Sequence, residues 1–84
     1  MFQANQYYIY YKNKEYYNLE SRYDNEYEDI YFLTNKKGKK VKIIYNKCEC
    51  KEIENKLMII NNEIYITKEK IKEPFNEWYV KNFI

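Results

Sequence analysis

The sequence predicts a mainly β protein: a β-rich α+β fold on a single small antiparallel sheet or half-open barrel of five to six strands, with a short C-terminal helix. Three observations carry that expectation. Nine of the twelve tyrosines fall within the first 31 residues, and tyrosine favours pleated, half-buried surfaces where the ring packs and the hydroxyl stays wet. Short apolar runs with period-two alternation are separated by turn residues, among them the only glycine, Gly38. The only proline, Pro74, is followed by aromatic residues at helical spacing.

Taken in order, residues 7–12 read as a first strand, rich in Tyr and Ile. Alternation puts Tyr7, Ile9 and Tyr11 on one face and Tyr8 and Tyr10 on the other. Asn13-Lys14 supplies a tight turn, because Asn tolerates positive φ, and a second strand follows over 15–19. Residues 20–29 divide two ways. Leu19, Tyr23, Tyr27, Ile30 and Tyr31 fit one helical face, whereas the tyrosine content and Asp24-Asn25 favour a turn between strands. The reading taken is a loop or short helix, then a strand from Tyr27 or later to Thr34.

Residues 35–39 form the next turn, with Gly38 where a hairpin needs a left-handed residue. The strand over 40–45 then points Val41, Ile43 and Tyr45 inward and Lys40 and Lys42 outward. A further strand is expected near 49–53, and 57–60 and 63–67 pair across a two-residue turn at Asn61-Asn62. After Pro74, residues Phe75, Trp78, Tyr79 and Phe83 line one face of a helix packed on the sheet. A last strand over 77–83 is the rival reading.

At 84 residues, 1–84 is one small domain, near the size where a single core just suffices. The formal net charge of +2 gives solubility without a strong global field. No run of 18 apolar residues is present, so no membrane span is expected. The first residues lack a basic start and a long apolar stretch, which points to a cytoplasmic protein. Lys, Asn, Ile and Tyr make up 48 of the 84 residues, all encoded by A/T-rich codons, as in an A/T-rich bacterium or a phage or plasmid within one.

The chemistry is sparse. Without histidine, a catalytic acid or base would have to be a carboxylate, lysine, tyrosine or cysteine with a displaced pKa. One glycine cannot build a Gly-rich phosphate loop. Cys48-x-Cys50 offers two of the four ligands of a structural zinc site, and a bridge between them would be strained. Two ordinary thiols, no metal, no cofactor and no catalysis are the expectation.

Charge is segregated instead. Residues 1–34 carry net −3 and residues 35–56 net +5. An acidic cluster, Glu20, Asp24, Glu26, Glu28 and Asp29, is interleaved with Tyr23 and Tyr27. Together with Tyr8 and Tyr10 it forms a candidate contact surface for a basic groove on another protein. The plain alternatives are a solvated loop, and a second core in which the C-terminal aromatics cover Tyr8 and Tyr10. Lys36, Lys37, Lys39, Lys40 and Lys42 could hold phosphates while tyrosines stack on bases, or could simply guard a strand edge. The reading this favours is a non-enzymatic, macromolecule-binding protein of phage or mobile-element origin. It would inhibit a host nucleic-acid-processing protein in the host cytoplasm, in the manner of an anti-CRISPR. A nucleic-acid-binding small barrel using the lysine hairpin and exposed tyrosines is the alternative.

Overall fold

The computed structural model describes residues 2–3, 7–23, 26–54 and 56–84, with the backbone alone at 2, 3 and 23. In chain order these form β1 (Phe2–Gln3), β2 (Tyr8–Tyr11), β3 (Lys14–Tyr16), β4 (Asn18–Tyr23) and β5 (Glu28–Thr34). Then come β6 (Lys40–Asn46), β7 (Cys50–Ile53), β8 (Leu57–Ile60), β9 (Ile64–Thr67) and α1 (Phe75–Phe83).

Turn residues set the hairpins. Asn61 and Asn62 both take positive φ, at 50° and 59°, and the Glu63 N–H closes the turn on the Ile60 carbonyl at 3.0 Å. Two left-handed residues in a row match the right-handed twist of the flanking strands. The first hairpin turns at Lys12 and Asn13 (φ 50° and 63°), one residue earlier than the Asn13-Lys14 turn expected. That register sets Ile9 opposite Tyr16 on one face; a one-residue slip would send Tyr16 to the opposite face. At 35–39 the Asn35 side chain accepts the N–H groups of Lys37 and Lys39, each at 2.9 Å. Gly38 sits at φ 85° as its position requires.

The strands divide between two antiparallel sheets. A five-stranded central sheet has the order β3-β2-β9-β8-β7, and a four-stranded outer sheet the order β1-β4-β5-β6. The chain crosses between them at Tyr17, a single bent residue joining β3 to β4, and returns through residues 47–49 between β6 and β7. The mainly β class and the C-terminal helix are as the sequence predicts. The structure adds a second sheet beside the five-stranded one.

Much of that addition comes from β4. Residues 18–23 are strand, not the loop or short helix expected across 20–29, and β4 pairs with β5 from Asn18↔Thr34 to Tyr23↔Asp29. The helical spacing of Leu19, Tyr23 and Tyr27 is coincidental. Leu19 and Ser21 share the inner face by strand alternation, and the ladder satisfies backbone groups that an isolated short helix would leave to water.

Two cores result. Between the sheets lie Ile9, Leu19, Tyr31, Leu33, Ile43, Tyr45, Ile60, Ile64 and Ile66. On the far side of the central sheet, Tyr10, Leu57, Ile59 and Ile71 pack with Phe75, and Tyr65, Trp78, Tyr79 and Phe83 complete the layer. Pro74 precedes the helix with φ −52°. Glu77 in the first turn and Lys81 in the last suit the helix dipole. The layers therefore run helix, central sheet, outer sheet. No helix among the described residues is long and apolar enough to cross a membrane.

Candidate docking surface

The two sheets treat their outward faces differently. The central sheet buries its own under α1. Tyr10 is 5% exposed, stacks on Phe75 with ring centroids 5.3 Å apart, and its Oη accepts the Ile71 N–H at 3.2 Å. Burial pushes its hydroxyl pKa up. Tyr8 is half-buried against the same cluster. The expectation that Tyr8 and Tyr10 form an exposed contact face is therefore corrected. The C-terminal aromatics need an apolar wall, and these rings supply it.

Among the described residues no helix covers the outer sheet. With Tyr31, Leu33, Ile43 and Tyr45 turned inward, alternation puts Ile30, Phe32 and Ile44 on the outward face, where Ile30 and Phe32 are half-buried and Ile44 is exposed. None of the three belongs to either core, and Ile44 is 50% exposed. Register aligns Arg22, Ile30 and Ile44 in one row and Glu20, Phe32 and Lys42 in the next. The Arg22 guanidinium lies 5.3 Å from the Phe32 ring centroid, and its Nε donates to Glu20 Oε1 at 2.6 Å. The middle of the face is thus an apolar stripe flanked by the Arg22–Glu20 pair on β4, whose Glu20 side chain is 16% exposed, and by Lys42 on β6.

The predicted charge clusters occupy the two ends of this face. At the β4–β5 turn Glu26 and Tyr27 are exposed, Tyr27 at 70%, and Glu28 begins the solvent side of β5. Asp29 does not join them. It points inward by alternation, accepts the Cys48 N–H at 3.2 Å and lies 3.8 Å from the Lys47 ammonium, so it pins the crossover from β6 to β7. Asp24 and the Tyr23 side chain lie outside the described residues. At the other end Lys36, Lys37 and Lys39 are exposed on the ordered 35–39 turn, and Lys40 and Lys42 project from β6. The seven residues of β5 separate the two ends by roughly 20 Å.

Ile30, Phe32 and Ile44 were not singled out from sequence. Their signal was present: each alternates with residues that fill the inter-sheet core. For nucleic acid, the lysines are displayed and one exposed tyrosine stands beside their turn: Tyr17, 57% exposed, donates its N–H to the Thr34 carbonyl at 2.7 Å. Tyr31 and Tyr45 are buried, and the aromatic ring on the lysine-bearing face is Phe32 beneath Arg22.

The buried tyrosine hydroxyls are held in their neutral forms. Burial raises the Tyr31 and Tyr45 hydroxyls well above the ordinary phenol range, and Tyr45 Oη donates to Glu63 Oε2 at 2.6 Å. Both cysteines are free thiols, and burial raises Cys48, which lowers its thiolate fraction at neutral pH. Among the described residues no group of three or more His, Cys, Asp or Glu side chains is placed to hold a metal. Comparison with known protein families, with curated proteins and with solved structures finds no match.

Proposed function

We propose that this chain is a non-catalytic binding protein that docks on another protein through the solvent face of its outer sheet. The observation that carries the reading is the outward-facing Ile30–Phe32–Ile44 stripe, with Ile44 exposed and Ile30 and Phe32 half-buried, set in a molecule that seals the matching face of its other sheet with a helix. An apolar centre with a charged rim is the anatomy of a protein interface. The stripe supplies buried contact area, Tyr27 stands at the rim as a rigid anchor, and Glu26 and Glu28 steer that end of the face toward positive potential. The partner chemistry this favours is a basic groove, as on a nucleic-acid-processing protein. The protein then acts as an inhibitor that occupies the groove in the host cytoplasm. Composition supports a phage or mobile-element source for such an anti-CRISPR-like protein.

The test is comparative capture from a lysate of an A/T-rich bacterium, with and without nuclease treatment, using the wild-type chain and Ile44→Glu. Ile44 is half exposed, so the fold tolerates the change while the stripe gains a charge. A protein retained by the wild type, lost with Ile44→Glu and displaced by heparin as a competing polyanion is the expected result. Retention unchanged by Ile44→Glu overturns the reading. Captured material that proves to be nucleic acid, and disappears on nuclease treatment, favours the lysine hairpin as the working surface instead.

A further inference from the structure

The same face has a property that depends on its row order. Moving along β5 from the acidic turn, the rows run Glu28 with Asn46, then Arg22–Ile30–Ile44, then Glu20–Phe32–Lys42, then Thr34 with Lys40, and last the lysine turn. We infer that this face is self-complementary and takes a second copy of this chain, across a two-fold axis lying in the plane of the face and perpendicular to β5 at Tyr31. The inference rests on the reading of the face as a docking surface and names what covers it when no other partner is present.

An axis in that position reverses the strand direction and exchanges the rows about their centre. Ile30 then lies over Phe32 of the second copy and Phe32 over its Ile30, while Ile44 lies over the methylene stem of its Lys42. Each Glu20–Arg22 pair meets the other pair head to tail, so four charges alternate in a ring. The acidic end of each copy meets the lysine end of the other, the two turns offset by about one strand spacing of roughly 4.8 Å because one joins β4 to β5 and the other β5 to β6. A two-fold axis parallel to the strands would instead set acid against acid and lysine against lysine, which like-charge repulsion disfavours. Packed sheets cross at about 30°, so register holds best near the axis, where the stripe and the Glu20–Arg22 pair lie.

Size sets the strength. Three full strands about 4.8 Å apart and about 24 Å long give a footprint of roughly 350 Å² per copy, well under the roughly 800 Å² per partner of a standard stable interface. The dimer is therefore weak and yields to a larger partner surface. Its charged contacts also make it weaken as salt rises.

Sedimentation velocity on the full chain tests this with two charge reversals. Glu20→Arg alone sets arginine against arginine across the axis, and Arg22→Glu alone sets glutamate against glutamate. Each variant should be monomeric at concentrations where the wild type dimerises, at least about tenfold weaker, and an equimolar mixture of the two should recover a dimer. Circular dichroism on each variant checks folding, and recovery on mixing cannot arise from a misfolded chain. A wild type that stays monomeric to about 1 mM, single variants that still dimerise, or a mixture that stays monomeric each overturn the inference. Dimers that ignore both reversals point to pairing along the β6 edge instead. If the wild type is monomeric while Ile44→Glu still abolishes partner capture, the self-association fails and the docking reading stands. If the wild type dimerises as expected while capture is indifferent to Ile44→Glu, the docking reading fails and the self-association stands.

Discussion

Phe75 is where the covering of the central sheet is most open to attack. Its side chain is 6% exposed, and its ring centroid lies 4.3 Å from Tyr65, 5.3 Å from Tyr10, 5.8 Å from Tyr79 and 5.9 Å from Trp78. Phe→Ala at a buried site costs about 3–5 kcal/mol in lost transfer energy and residual cavity. Tyr79 and Trp78 ride on α1 with Phe75 and can follow it inward, so the low end applies, about 3 kcal/mol. For 84 residues the whole stability is about 4–13 kcal/mol, so Phe75→Ala removes a large share of it. The melting temperature should fall by about 12–24 °C, at 4–8 °C per kcal/mol for a domain of this size. Urea denaturation should be followed by far-ultraviolet circular dichroism and by the fluorescence of Trp78, the only tryptophan. In the variant the Trp78 signal should change at lower urea than the strand signal, because α1 leaves before the inter-sheet core opens. A loss under about 1 kcal/mol with coincident transitions would refute the claim that Phe75 anchors the helix.

Three further outcomes are expected. Gly38→Val should destabilise by about 1–2 kcal/mol; a Cβ there meets nothing within 4 Å, so the cost is conformational, and an unchanged melting temperature would contradict the φ of 85°. Tyr10, Tyr31, Tyr45 and Tyr65 all have hydroxyl pKa values raised chiefly by burial. Their stabilising contribution is complete below the unfolded phenol value of about 10 and is lost as pH rises through the folded values. Urea midpoints should therefore drop above about pH 10, with a shallower slope for Tyr45→Phe. Cys50, exposed, should react with an aromatic disulfide reagent before Cys48, which is half-buried, as peptide mapping of the first labelled product would show; labelling of Cys48 first would contradict this placement.

What was legible in the sequence is what local chemistry decides. Gly38, the Asn61-Asn62 pair and Pro74 each impose a backbone conformation on their own, and β6 alternates so cleanly that its inner face follows from the chain alone. What was not legible depends on a second layer. Whether Tyr8 and Tyr10 meet water or α1 is decided by where residues 75–83 land, and no spacing within 7–12 contains that information. β4 was hidden because Leu19, Tyr23 and Tyr27 satisfy a helical period as well as a strand one, and only pairing with β5 chooses between them. Asp29 read as one acid among five, yet the crossover of 47–49 recruits it as an acceptor.

The candidate face was hidden by an exchange of roles on β5. Expectation puts isoleucine and phenylalanine in the core and tyrosine at the wet boundary. Here Tyr31 and Tyr45 are buried, because Cys48 and Glu63 give their hydroxyls partners inside the fold, while Ile30, Phe32 and Ile44 face out. The exchange argues about function as well as legibility. Nothing in the two cores requires an apolar residue at 30, 32 or 44, and a polar β-branched residue such as threonine would serve a solvated strand equally well. Three large apolar side chains in adjacent rows of an otherwise charged face are therefore unexplained by folding alone. On the docking function proposed above, coverage by a second protein surface accounts for them, and acid at one end with lysine at the other gives that surface an orientation.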